Sequence, residues 1–204
     1  MGSPVSDLEA NKWKLGFTYS MDQQDLKVKS GTVGTDGKLK DFKTNKYFAE
    51  VGYGITEAWQ IYALLGLSKA KYDDGTFSGG NDFGWGIGTR YTFHEHENWK
   101  WGANGQLTWI NSDETVGGTK TKYDGYNIQV GVGPEVDLGG WSLYGGPFLQ
   151  YIDADYEVGS TKNEIEQDDW FGGFIGAKVG LSENVNLGAE FNATPSGYGF
   201  GANL

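Results

Sequence analysis

The sequence predicts an all-β fold: an antiparallel up-and-down barrel that closes on itself and crosses a lipid bilayer. Three observations lead there. Bulky apolar residues recur at every second position along nearly the whole chain, glycine is concentrated between them, and short connections alternate with long ones. A period of two places alternate side chains on opposite faces of a strand. A soluble strand hides its apolar row and shows water the polar one. Here one row would have to hide Trp, Tyr and Phe from about ten strands, while the other is largely glycine. That division suits lipid outside and a narrow polar interior.

The elements follow in order. Trp13, Leu15, Phe17, Tyr19 and Met21 alternate with Lys12, Lys14, Gly16, Thr18 and Ser20, which defines a strand over 11–21. Tyr47, Ala49, Val51, Tyr53 and Ile55 mark 45–56, and a third strand covers 59–71. Phe83, Trp85, Ile87, Thr89, Tyr91 and Phe93 mark 82–93, followed by 99–110. Tyr126, Ile128, Val130 and Val132 mark 125–138, and strands over 141–154, 169–181, 184–193 and 197–204 complete a count of ten. Eight or twelve strands also fit, because boundaries read from sequence shift by several residues. Pro134 and Pro147 fall inside strands and predict bulges or strand ends, since proline donates no ladder hydrogen bond. Tight turns fall near Glu57–Ala58, His94–Asn98, Gly139–Gly140 and Ser182–Glu183; longer loops cover 22–44, 72–81, 111–124 and 155–168. Outer-membrane barrels show this alternation, with tight periplasmic turns and longer extracellular loops. Residues 1–10 read as a tail in which Met1-Gly2-Ser3 has the look of a cloning remnant, and 11–204 as the barrel.

Composition sets further bounds. Among 204 residues, 34 are glycine, 4 proline and none cysteine, so disulfides and thiolate metal sites are excluded. No apolar run reaches the ~18–20 residues a membrane helix needs, but a spanning strand needs only ~9–11, half of them polar. The tail has no signal-peptide pattern. A net charge of -11 without a basic face argues against nucleic-acid binding.

The inward row mixes both signs. Lys14, Arg90, Lys100 and Lys178 oppose Glu50, Glu135, Asp137 and Glu190, which predicts a salt-bridged lumen. Arg90, the only arginine, is expected to pair with at least two of Glu50, Glu135 and Glu190. The many inward glycines favour some open volume. Trp59, Trp99, Trp101 and Trp141 sit just past tight turns and predict one membrane-interface girdle; Tyr19, Tyr47, Trp109, Tyr126 and Tyr151 predict the other. A soluble sandwich would also bury aromatics, but leaves the glycine row unexplained.

Patterns such as YFAEVGYGIT (47–56), FGWGIGTRYTF (83–93) and NVNLGAEFNA (184–193) resemble the small outer-membrane β-barrel proteins of Gram-negative bacteria. That broad group includes the outer-membrane protein A transmembrane domain and the opacity-type porin-like proteins. The resemblance covers the chain from Lys12 onward and implies a monomer in the bacterial outer membrane, in contact with lipid and lipopolysaccharide. Members usually end in an aromatic residue. Here Tyr198, Phe200 and Ala202 alternate correctly, but the last residue is Leu204, so a trimmed end, a following domain or a variant signal are alternatives.

No catalytic or cofactor site is expected. His94 and His96 are read as polar turn residues, no Gly-x-Ser-x-Gly motif exists, and Thr194–Gly197 reads as a turn. The acidic loop containing Asp153, Asp155, Glu157, Glu164, Glu166, Asp168 and Asp169 lacks a calcium-loop spacing, so no metal site is assigned. The expected function is a narrow porin-like passive channel for small solutes or ions. The alternative is a closed structural or surface-interaction barrel whose loops bind envelope or host partners, and a soluble lipid-binding barrel is a third reading.

Overall fold

The computed structural model describes residues 1–31, 37–72, 77–182 and 185–204. Its strands are β1 (Trp13–Ser30), β2 (Lys38–Thr56), β3 (Trp59–Tyr72), β4 (Phe77–Ser78), β5 (Asp82–His96) and β6 (Trp99–Val116). The chain continues through β7 (Thr119–Asp137), β8 (Trp141–Val158), β9 (Thr161–Gln167), β10 (Phe171–Ser182), β11 (Val185–Thr194) and β12 (Gly197–Asn203). All pairings are antiparallel and join sequence neighbours, apart from the β1–β12 closure and the places where β4 and β9 intervene. β12 pairs with β1 and β8 with β10, which closes a ring of ten strands: the ten expected, with two short additions.

The strands are longer than their sequence pattern suggested. β2 and β7 each have 19 residues and β1, β6 and β8 each have 18, whereas ~9–11 cross a bilayer. Three of the expected long loops are therefore largely strand. Residues 22–30 and 38–44 extend β1 and β2, and 111–124 becomes a hairpin turning at Gly117–Gly118. Residues 155–168 hold the end of β8, a turn at Gly159–Ser160 and β9. Residues 32–36, including Asp36, 73–76 and 183–184 with the expected turn at Glu183 lie outside the described residues.

The physical reason is a change of face. On β7 the outward row holds Tyr126, Ile128, Val130 and Val132, but beyond them it continues as Asp124, Lys122 and Lys120, while Tyr123 points inward and is 2% exposed. On β1, Leu15 is 80% exposed and Leu26 is 0% exposed. On both strands parity is unbroken; hydrophobicity moves from the outer face to the inner one. The segment past the belt is water-facing and obeys the soluble rule. At that far end β9 pairs with both β8 and β1, so it replaces β10, β11 and β12, and the ring narrows to eight positions. Leu26, Leu39, Phe42, Phe77, Tyr156 and Ile165 fill it, with Tyr72, Ile110, Tyr123 and Ile152 around them. Asp41, at φ 54, shifts the register of β2 so that Leu39 and Phe42 both point inward.

Two further sequence expectations are corrected. Pro134 and Pro147 end neither strand; β7 and β8 run through them, and their ladder is interrupted between the pairs Gly131–Phe148 and Glu135–Tyr144. The missing donors fall where a Cβ on Gly133 would lie 1.9 Å from the Gly145 carbonyl oxygen. His94 and His96 are in β5, not in the turn, which shortens to Glu97–Asn98; a bulge at Phe93 sets both histidines opposite Trp101 and Trp99.

Replacing Tyr156 with Ala should cost about 3–5 kcal/mol, read as a lowered midpoint for urea unfolding of the membrane-inserted barrel.

Candidate functional site: the lumen

The ten-stranded section carries its small residues inside, yet it is not open. An inward glycine is repeatedly covered by the ring of its direct cross-strand partner. Tyr62 lies over Gly88, Tyr144 over Gly176, Phe148 over Gly172 and Phe48 over Gly66. A Cβ on Gly88 or Gly176 would lie 2.2 or 2.3 Å from the partner's ring. Glycine here makes room for an aromatic side chain, as in the rescue of strand glycines by cross-strand rings. The inward glycines therefore do not translate into open volume.

Much of the remaining space is occupied by the tail, beside which a recess lined by Val5, Asp7, Lys100, Glu135 and Lys178 opens towards the turn end. Met1 to Leu8 enter from the end that holds the tight turns, and Ser3, Pro4, Val5 and Ser6 are buried. Between this segment and the apolar far end remains a cavity of about 40 Å³, bordered by Asp22, Lys46, Glu50, Arg90 and Glu190. That is room for a water or two.

The charged side chains of the lumen are joined pair by pair. Arg90 Nη1 donates to Glu50 at 3.3 Å, and its guanidinium stacks 4.4 Å from the Tyr62 ring centre. Lys178 reaches Glu135 at 2.9 Å, and Glu135 also accepts from Ser142 at 3.0 Å and from Ser3. The α-amino group of Met1 lies 3.2 Å from Glu190, and Lys14 lies 2.8 Å from Asp7. Arg90 thus takes Glu50 alone of the three expected carboxylates, because Lys178 and the amino terminus take Glu135 and Glu190. Lys100 and Asp137 are at the rim: Lys100 pairs with Glu95 at 2.8 Å, and Asp137 accepts from the Gly139 amide at 2.8 Å.

Several members of the network escape a reading of strand parity. Lys46 and Asp22, 2.8 Å apart and nearly buried, fall in or beside the expected first loop. Gln60, fully buried, and the tail groups Ser3 and Asp7 carry no charge pattern or motif. The inward phase of β1, continued past Met21, would have placed Asp22; no signal in the sequence seats the tail.

The aromatic residues follow two levels. Trp59, Trp99, Trp101 and Trp141 are 41–45% exposed at the turn end, and Trp59 Nε1 donates to Thr89 Oγ1 at 2.8 Å. Trp13 and Tyr53, 4.8 Å apart, belong with them. At the other level Tyr19 packs on Tyr47 at 5.0 Å, Trp109 on Tyr126 at 5.7 Å, and Tyr126 on Tyr151 at 6.1 Å. Beyond this second level the outer face is charged, with Lys120 2.5 Å from Asp113 and Lys162 2.9 Å from Asp155. Asp155 beside Lys162 raises the lysine's pKa. Among the described residues no cluster of three metal-ligating side chains occurs.

A closed antiparallel ring, an apolar belt between two aromatic levels and a polar inner row define a transmembrane β-barrel. The chain belongs to the outer membrane protein beta-barrel domain family, whose model matches residues 56–203, and its place is the bacterial outer membrane. The turn end is then periplasmic and the far end extracellular. No curated protein matches the chain in sequence. In backbone it is similar to the translocator domain of the autotransporter NalP from Neisseria meningitidis, at 12% identity and TM-score 0.49, over 97% of this chain and 88% of that one. It is also similar to the outer membrane protease OmpT from Escherichia coli, at 8% identity and TM-score 0.47, over 93% of both. An outer membrane channel from Pseudomonas putida F1 aligns at 13% identity and TM-score 0.44, over 100% of this chain and 97% of that one. These likenesses are too distant to assign a function.

Two predictions follow from the network. Glu50→Gln should cost about 3–5 kcal/mol in unfolding free energy, because it leaves Arg90 buried and unpaired, and pairing it with Arg90→Met should recover most of the loss. For Asp7, burial raises the pKa, but Lys14 and Arg90 together outweigh it and hold the carboxyl at about 2. Its contribution to seating the tail is complete above the ordinary value of 3.8 and lost as pH falls towards 2. Hydrogen exchange at the Ser6 and Asp7 amides, corrected for intrinsic rate, should lose protection in that window.

Proposed function

We propose that this protein is a closed outer-membrane barrel that works through its extracellular end, as a surface-interaction or structural protein. The observation that carries the reading is occlusion at two levels: apolar side chains fill the extracellular section and the N-terminal segment fills the periplasmic one. A passive porin-like channel needs a continuous water path through both layers, and the cavity between them is about 40 Å³. Opening the upper layer would expose Phe42, Phe77, Tyr156 and their neighbours to water, a large unfavourable change in apolar hydration.

The extracellular section has the properties of a binding platform. It is a rigid extension of the wall, cored like a soluble protein, and its outer face presents charges of both signs. Its partners on this reading are envelope or host molecules reached through the hairpin tips, with outer-membrane lipid and lipopolysaccharide surrounding the girdles. This reading assigns no chemistry to the two histidines: His94 and His96 face outward at the periplasmic rim, remote from the extracellular end. We read the protein as a non-enzymatic monomer without cofactor.

Single-channel recording in a planar bilayer tests this. Protein whose insertion is confirmed by heat-modifiable mobility should give no discrete current steps. Reproducible steps from such protein would overturn the closed barrel in favour of the passive channel.

A further inference from the structure

We propose that the periplasmic half of the lumen is a binding site for an extended peptide, read mainly through its main chain, with residues 1–8 as the tethered occupant. The contacts show what is read. Arg90 Nη2 donates to the Met1 carbonyl at 3.3 Å and Asn104 Nδ2 to the Gly2 carbonyl at 3.0 Å. The Ser6 amide donates to Thr92 Oγ1 at 2.9 Å, and the Asp7 amide to Gln60 Oε1 at 2.8 Å. Four bonds from β3, β5 and β6 thus reach backbone atoms that every peptide possesses. The α-amino group adds its ion pair with Glu190 from β11. Side chains add Ser3 on Glu135, Ser6 on Gln60 and Asp7 on Lys14, and Met1 packs against Tyr144, Phe148 and Phe174.

The wall is shaped for the same object. A Cβ on Gly102 would lie 2.4 Å from the Pro4 carbonyl oxygen and 2.9 Å from Val5 Cα, and one on Gly54 would lie 2.1 Å from the Glu9 carbonyl oxygen. Unlike Gly88 and Gly176, these glycines face a peptide backbone and not a ring. The receptor groups are also costly to leave alone: Gln60 is 0% exposed, Asn104 3% and Arg90 4%. Buried donors and acceptors of this kind need partners. A peptide entering amino end first from the periplasmic mouth supplies them at Gln60 Oε1, Asn104 Nδ2 and Arg90 Nη2 through its main chain, provided the side chains at the third to sixth positions are small.

The 204-residue chain has no cysteine, so Ser3→Cys introduces a unique thiol. In the folded barrel a water-soluble maleimide should label it about 100-fold more slowly than Asn98→Cys in the exposed periplasmic turn. Millimolar free peptide with the sequence of residues 1–8 should speed that labelling several-fold by displacing the tether, at the effective concentration a short linker imposes. A peptide of the same composition, scrambled so that positions three to six stay small, should do so to within about threefold, since both offer the same main chain. Gly102→Leu should bring the rate near that of Asn98→Cys; if that variant does not fold, Gly102→Ala makes the same collision. Fast labelling of the unmodified seat, no acceleration by peptide, acceleration by the native order alone, or continued protection in a folded Gly102 variant would each overturn the proposal. None of these readouts depends on whether the barrel conducts.

Discussion

The constraint on which the rest depends is the two-residue parity of the barrel wall. A residue's face is set by its odd or even place on a strand; β1, β6, β7 and β8 keep that assignment from the periplasmic turns to the extracellular tips, while irregularities at Asp41 on β2 and Phe93 on β5 reset it locally. Their surroundings change on the way. Inside the bilayer the outer face meets hydrocarbon and must be apolar; beyond it, the same face meets water. The chain cannot rotate its strands, so it exchanges the residues: Val130, Ile128 and Tyr126 give way to Asp124, Lys122 and Lys120 on one row of β7, while Gln129 and Asn127 give way to Tyr123 on the other. β8 repeats the exchange, from Leu149 and Tyr151 outside to Ile152 and Tyr156 inside.

That exchange explains which features could be read from the residues and which could not. The closed antiparallel barrel and its ten-stranded ring follow from alternation and glycine placement, because both express the lipid–lumen division within the span. The extracellular continuation did not follow, because its alternation has the opposite phase and its outer row is made of Lys, Asp and Glu, residues usual in loops. Counting either phase as strand would have recovered β1 past Met21 and the hairpin around Gly117–Gly118. β9 was hidden for the same reason: within Thr161–Gln167 only Ile165 is apolar, and its pairing with β1 joins residues far apart in sequence.

The lumen was harder to read. Inward parity placed Glu50, Arg90, Glu135, Lys178 and Glu190 on the correct face, but parity says nothing about partners. Pairing is decided by height and by competitors, and two competitors, Lys178 and the chain's own amino terminus, took carboxylates that looked available to Arg90. The glycines misled for a related reason. A glycine seen alone is a gap; Gly88 seen opposite Tyr62 is half of a close-packed pair. Only the cross-strand register distinguishes the two, and no local pattern encodes it.

The two ways of filling the interior then have one cause. Eight strands enclose just enough room for side chains, and the diameter grows with strand number. The extracellular section, narrowed to eight positions by β9, is filled by its own inward rings and aliphatic chains. The ten-stranded section is wider. Wall side chains long enough to meet at its axis would have to be large and apolar, and most of its inner row is glycine or polar. An extended chain laid along the axis solves this with atoms the wall does not have to supply, and its carbonyls and amides match the polar groups already there. Replacing β9 by β10, β11 and β12 on passing into the membrane thus creates both the spare volume and the need for an occupant. The periplasmic seat is the consequence of a barrel whose two ends have different strand numbers.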